Sequence, residues 1–290
     1  MLASGVWPVL GLVFNALVWG ISWWPLRQMQ LAGLHPVWAT AVFFAIGAVV
    51  VGSLRPQAWR VLASQPRLWA LALAAGATNA AFNWGVSIGD VVRVVLLFYL
   101  MPVWAVLLAW WMLGERITAG SLLRVGLALA GAVLVLQPAD GGWPVFDGLA
   151  DWLGLAGGVG FALINVLLRQ LANEASSSRA LAMFGGGLVF PLGLGLLLTW
   201  QGQVPAPPAA QPAWMLMALG MGLLFVAANM ALQHAAAKLP VRITSVIMLT
   251  EVLFAALTSV WWGGESLRWS VLAGGALILA AAFLAARKGH

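Results

Sequence analysis

The 290-residue sequence predicts an all-α membrane protein of ten transmembrane helices, arranged as two inverted five-helix repeats. Three observations carry that expectation. Hydrophobic residues make up 63% of the chain and charged residues only 8%, a balance outside the range of ordinary soluble domains. Ten apolar segments reach the roughly 20-residue length an α-helix needs to cross the hydrocarbon core. The rare polar residues inside those segments also recur at a shift of 150. Asn15 falls on Asn165, Asn79 on Asn229, Asn83 on Gln233, and Gly114-Glu115 on Gly264-Glu265.

In chain order the expected spans are 7–26, 36–54, 67–88, 92–113, 119–137, 150–169, 179–200, 212–234, 240–262 and 267–286. Prolines mark several starts, because proline suits the first turn of a helix: Pro36, Pro212 and Pro240. Arg55-Pro56, Gln137-Pro138 and the Pro/Ala-rich stretch 201–212 read as loops. The first 30 residues lack a basic leader and a small-residue cleavage site, so they read as the first span rather than a signal peptide.

The net charge of +6 raises the question of nucleic acid, but the basic residues are scattered singly between apolar runs with no patch or stripe. Their distribution instead sets an orientation. With ten spans both termini share one side, where eleven basic residues fall: Arg55, Arg60, Arg67, Arg116, Arg124, Arg169, Arg179, Lys238, Arg242, Arg287 and Lys288. Only Arg27, Arg93 and Arg268 fall opposite. The positive-inside rule therefore puts the N- and C-termini in the cytoplasm of a bacterial-type inner (plasma) membrane.

Five spans per half is an odd number, so the second half must enter the membrane upside down. The halves divide as residues 1–140 and 141–290. Inverted repeats are a usual construction of secondary transporters, with the site at the midplane between the halves. Amides are costly in lipid unless bonded or facing water, and five of the six asparagines lie in apolar segments. A repeat that keeps its amides suggests a polar interior.

No cysteine is available for a disulfide, a nucleophile or a thiolate metal site. The histidines at 35, 234 and 290 give no metal spacing. The glycines around 154–160 follow no strand and match neither a GxGxxG nor a Walker pattern. No cofactor and no metal are expected. An intramembrane enzyme would need a nucleophile–base pair that the sequence does not offer. Most of the 18 tryptophans fall near span ends, as in an interfacial aromatic belt.

The stretch Tyr99-Leu100-Met101-Pro102, then Leu113-Gly114-Glu115-Arg116-Ile117-Thr118 and a helix with Gly126 and Gly131, resembles the EamA repeat of the drug/metabolite transporter superfamily. Trp19-Gly20 is similar to the repeat's opening, and Gly264-Glu265-Ser266 to a weaker second copy. The resemblance covers nearly the whole chain. It implies a ten-span exporter, and the Tyr99–Pro102 region is most similar to bacterial exporters of aromatic and other neutral amino acids. There are departures. Many EamA proteins carry an arginine where this chain has the apolar run 41–51, and Glu251-Val252 stand where the first half has Met101-Pro102.

Asn79 and Asn83 share one face of the third span with Phe82 beside them, and Asn229 and Gln233 repeat the spacing on the eighth. Four uncharged amides, with Asn165, suit a zwitterion or neutral polar ligand, while interhelical bonding is their alternative role. Glu251 is the only acid near the middle of a span, where it can exchange a proton or accept a substrate ammonium; Thr250, Thr244 and Tyr99 are its candidate partners. Tyr99 is the sole tyrosine and precedes Pro102, which frees a backbone carbonyl and gives a bending point. Met101 offers an apolar wall beside it. The implied partners are a small neutral or aromatic amino acid and the lipid bilayer, and one chain holds both halves, so a monomer can suffice. The rival substrate is another small metabolite or a cationic compound, which Glu251 would favour.

Overall fold

The computed structural model describes residues 3–138, 140–236, 238–239 and 241–287; Pro240, Lys288 and His290, used in the sequence reading, lie outside them. The described residues form fourteen helices and no strand. The first half holds α1 (Ala3–Ile21), α2 (Trp23–Leu31), α3 (Pro36–Leu54), α4 (Gln57–Ser64), α5 (Pro66–Ile88), α6 (Val91–Phe98), α7 (Met101–Leu113) and α8 (Ala119–Leu136). The remainder holds α9 (Leu149–Gln170), α10 (Ser176–Trp200), α11 (Pro212–Ala236), α12 (Val241–Met248), α13 (Thr250–Gly263) and α14 (Trp269–Arg287).

Helix starts follow from their capping residues. Pro36 and Pro66 occupy first-turn positions, and the His35 imidazole accepts the Val37 N–H at 3.3 Å. Asp90 caps α6 by accepting the Arg93 N–H at 2.8 Å, and Thr118 caps α8 through Ser121. Two helices end on left-handed glycines with the same φ of 67°, Gly114 after α7 and Gly264 after α13.

Nine helical segments among the described residues are long and apolar enough to cross a membrane, not the ten expected. Three of them join neighbouring helices across a short break: Val6–Leu31, Val91–Leu113 and Val246–Gly263. The expected third span forms α5, whose 23 residues extend about 34 Å, but it is not one of the nine. The reason is physical. α5 carries Thr78, Asn79, Asn83 and Ser87 and packs against α9, α10 and α3, so protein more than lipid receives it.

Small residues set these crossings. Gly76 and Gly186 bring α5 and α10 into backbone contact. Gly154 and Gly158 do the same for α9 against α6, where a β-carbon at 158 would lie 2.5 Å from the Phe98 carbonyl oxygen. α1 packs between α11 and α13, and α8 against α14. α6 packs on α13, α7 on α9, and α12 on α1 and α14.

Candidate functional site

Two of the three helix breaks among the described residues fall in corresponding places. α6 stops at Phe98 and α7 begins at Met101, with Tyr99 and Leu100 between them. Pro102 has no N–H to donate, which explains the first break. α12 stops at Met248 and α13 begins at Thr250, although Val252 stands where a proline would. Residues 91–98 plus 150 are 241–248, so the two short helices coincide at the spacing of the amides.

The breaks meet through one pair of side chains. The Tyr99 hydroxyl lies 3.2 Å from Glu251 Oε2 and 3.3 Å from the Met248 carbonyl oxygen, and it can donate to one of them at a time. Tyr99 is 3% exposed and Glu251 8%. Of the three candidate partners for Glu251, the bonded one is Tyr99. Thr250 instead donates to the Ile247 carbonyl at 2.7 Å.

A chain of aromatic rings leads away from this pair through Phe98. Phe98 lies 5.9 Å from Tyr99, 4.9 Å from Phe82 and 5.3 Å from Phe161. Phe82 lies 6.3 Å from Trp19, whose ring centroid is 4.5 Å from that of Phe225 at a tilt of 47°. Phe43, Phe44 and Phe184 extend the cluster outward. Sequence reasoning picked out Phe82 and missed Phe98 and Phe225; it read Trp19 as part of a motif and not as a wall.

Phe82, Tyr99 and Glu251 are therefore brought together, with Met101 and buried Pro102 on the adjoining turn. The amides scatter. Asn79 donates to the Ala75 carbonyl of its own helix at 2.7 Å. Asn83, 0% exposed, donates to Thr40 Oγ1 of α3 at 3.1 Å, the interhelical role that was its alternative. Gln233 donates to Asn229 Oδ1 at 2.6 Å within α11. Asn165 is exposed and donates to the Phe161 carbonyl at 2.9 Å. No group of three or more His, Asp or Glu among the described residues is placed to hold a metal.

Charges gather at two opposite ends. At one end Arg93 grips Asp151 with bonds of 2.6 to 3.0 Å, and Asp151 also accepts the Asp147 N–H. Arg27 donates to the Gly89 carbonyl at 2.8 Å and reaches Glu265 at 3.5 Å, with Trp23 4.8 Å beneath its guanidinium. Both Glu265 oxygens accept the Val91 N–H at 3.2 Å, tying α13 to the start of α6. Burial pushes the Glu265 carboxyl above its ordinary range, with Asp90 adding to the effect, against Val91 N–H, Arg27 and Ser259. Arg268 donates to the Gln137 carbonyl at 2.8 Å. These are the three basic residues assigned to the sparse side. A cavity of about 310 Å³ opens there, beside Asp90, Arg93, Asp147 and Asp151. At the other end Glu115 pairs with Arg169 at 2.9 Å and Gln65 with Glu174 at 3.0 Å, beside a cavity of about 410 Å³ at Arg55–Ala58 and Ser176-Ser177. Burial lowers the His35 imidazole.

The description of the EamA-like transporter family matches this chain twice, over residues 6–137 and 148–287. The chain belongs to the EamA-like transporter family. Two curated relatives accord with that membership. An uncharacterized transporter of Archaeoglobus fulgidus is 28% identical over 213 residues, 73% of each chain. The chloramphenicol-sensitive protein RarD of Pseudomonas aeruginosa is 25% identical over 251 residues, 84% of this chain and 79% of the relative. A solved crystal structure superposes with a TM-score of 0.59 at 20% identity over 96% of both chains, a likeness of fold. This EamA-like chain is thus a multi-pass membrane transporter.

Proposed function

We propose that this EamA-like transporter exports neutral or aromatic amino acids across a bacterial-type inner membrane by alternating access. The observation that carries the reading is the buried Tyr99–Glu251 pair, set where two helix breaks meet and joined through Phe98 to a ring cluster of Phe82, Trp19 and Phe225. Broken helices at mid-depth are where secondary transporters build their sites. The rings suit an aromatic side chain, and the carboxylate suits an ammonium or an exchanged proton. Met101 and Pro102 shape the wall. Asn79, Asn83, Asn165, Asn229 and Gln233 are secondary: their bonds in this conformation are local or interhelical, and they serve the passage when the helices shift.

The working unit in this reading is one chain with two inverted five-helix halves, residues 1–140 and 141–290, α5 included as a span. The coincidence of α6 with α12, of Gly114 with Gly264, and of α8 with α14 at a shift of 150 supports it. The termini face the cytoplasm. Support comes from the three sparse-side arginines, each of which has an acidic or carbonyl partner, whereas Arg55, Arg60, Arg67 and Arg116 have no ion pair among the described residues.

A second reading, a cationic compound as substrate, draws on the same carboxylate among rings. Reconstituted liposomes decide between them. Saturable uptake of labelled phenylalanine or tryptophan, accelerated by unlabelled amino acid inside, is the expected result. Glu251→Gln should slow it about tenfold and flatten its pH dependence. Uptake of organic cations alone would transfer the assignment to the second reading.

A further inference from the structure

We propose that Asn15 reads the main-chain end of the transported molecule, above all its carboxylate; the inference rests on the amino-acid reading. Asn15 is 1% exposed, and among the described residues neither its Nδ2 nor its Oδ1 has a hydrogen-bond partner. An amide shut away from water with neither function bonded is costly, and folded proteins normally give such a group a partner. Asn79 and Asn165 show how readily that is done, since each donates to the carbonyl four residues back. Asn15 leaves that bond unmade.

Its place on α1 shows what the free amide faces. One turn onward on the same side of the helix is Trp19, its ring tilted against Phe225 at 4.5 Å in the ring cluster. On either side of Asn15 the helix meets its neighbours at glycines, closely at Gly20. A β-carbon at Gly11 would lie 3.4 Å from the Ala231 carbonyl oxygen of α11, and one at Gly20 2.8 Å from the Glu251 carbonyl oxygen of α13. α1 and α13 run in the same direction, with Gly20 beside Glu251 and Ala255 and Trp23 donating to Thr258 at 3.0 Å. Five residues before Gly20, about 7.5 Å along the axis, Asn15 stands level with the break after Met248. α12 also packs on α1, and its Thr244 has a buried hydroxyl without a partner among the described residues.

An unbonded N–H₂, an unbonded C=O and an unbonded hydroxyl complement the donors and acceptors of a zwitterion, and none of them carries a charge. An aromatic amino acid placed here has its ring among Trp19, Phe82 and Phe225 and its ammonium at Glu251. Its carboxylate accepts from Asn15 Nδ2 and Thr244 Oγ1. An amine without a carboxylate leaves the Asn15 donor unmet.

The test compares tryptophan with tryptamine, its decarboxylated analogue, by ligand-induced thermal shift and by competition for labelled tryptophan uptake. Asn15→Leu removes an unmet amide at similar size, so the unliganded midpoint should hold or rise. It should weaken tryptophan about tenfold or more and tryptamine by less than about twofold. Asn15→Asp places a negative charge by the carboxylate and should reverse the preference toward tryptamine. Equal losses for both ligands, or none, overturn the inference and leave the amino-acid reading standing, because the parent protein still binds tryptophan. A fall in the unliganded midpoint of Asn15→Leu also overturns it, showing a structural bond at Asn15. A parent protein that binds no amino acid sinks the reading and this inference together.

Discussion

The two Gly-Glu pairs of the molecule have the same local geometry and different surroundings. Gly114 and Gly264 turn the chain at the same φ of 67°, and the next residue's N–H returns to the carbonyl six residues back in both: Glu115 to Ala109 and Glu265 to Ser259. From there the carboxylates diverge. Glu265 is 13% exposed at its side chain, meets Arg27 and takes the first N–H of α6. Glu115 is 53% exposed and meets Arg169, itself 62% exposed. A dipeptide fixes a helix end, while the opposing helix decides whether its charge becomes an anchor. One end of the molecule is tied across by buried contacts, and the other is held by an exposed pair that contributes little.

The strongest way to break that comparison is to prevent the tied end from opening. The chain has no cysteine, so Arg27→Cys with Glu265→Cys provides a unique thiol pair. Bridging it with a short bis-maleimide should lower transport about tenfold or more, because the proposed alternating-access cycle requires this end to part. Unchanged flux in bridged protein would show that the end stays shut throughout.

Next in size is Arg93→Ala. It leaves Asp151, 3% exposed at its side chain, charged without its partner. A loss of about 3 kcal/mol is expected from the thermal midpoint in detergent, and a loss under about 1 kcal/mol would make the tied end no firmer than the other.

Glu265 sharpens the contrast through pH. Its native carboxyl holds a proton more tightly than its ordinary 4.5, so its contribution to stability is greatest below that value and falls as pH rises through the native one. Glu265→Gln keeps an acceptor for the Val91 N–H and should flatten that slope while leaving stability at neutral pH unchanged or slightly higher. Glu265→Ala orphans the N–H and should cost about 1 kcal/mol. Equal midpoints for the two variants across pH 4 to 8 would remove Glu265 as an anchor. The smallest effect belongs to Arg169→Ala, below about 0.5 kcal/mol, measured in the same way.

Much of the architecture was legible in the sequence. Hydropathy located every helix of spanning length, prolines marked starts, and the 150-residue spacing anticipated α6 with α12 and α8 with α14. α5 has the length of the expected third span but not the mean apolarity of the other nine. Side-chain partners were less legible. Tyr99 and Glu251 were each conspicuous, one as a sole tyrosine and the other as a mid-span acid, yet their contact crosses 152 residues and depends on how α6 meets α13. Phe98 and Phe225 resemble every other phenylalanine in an apolar helix, and only tertiary packing turns them into a wall. The second break was invisible for a related reason: Val252 carries no signal of one.

That unmarked break has a consequence at the spectrometer. The carbonyl it exposes at Met248 is within 3.3 Å of the only phenol in the protein. Biosynthetic fluorotyrosine would therefore give a single resonance, free of assignment, from the junction of the two broken helices. Its chemical shift would separate a hydroxyl bonded to Glu251 from one bonded to Met248, and would follow the junction through every step of a turnover.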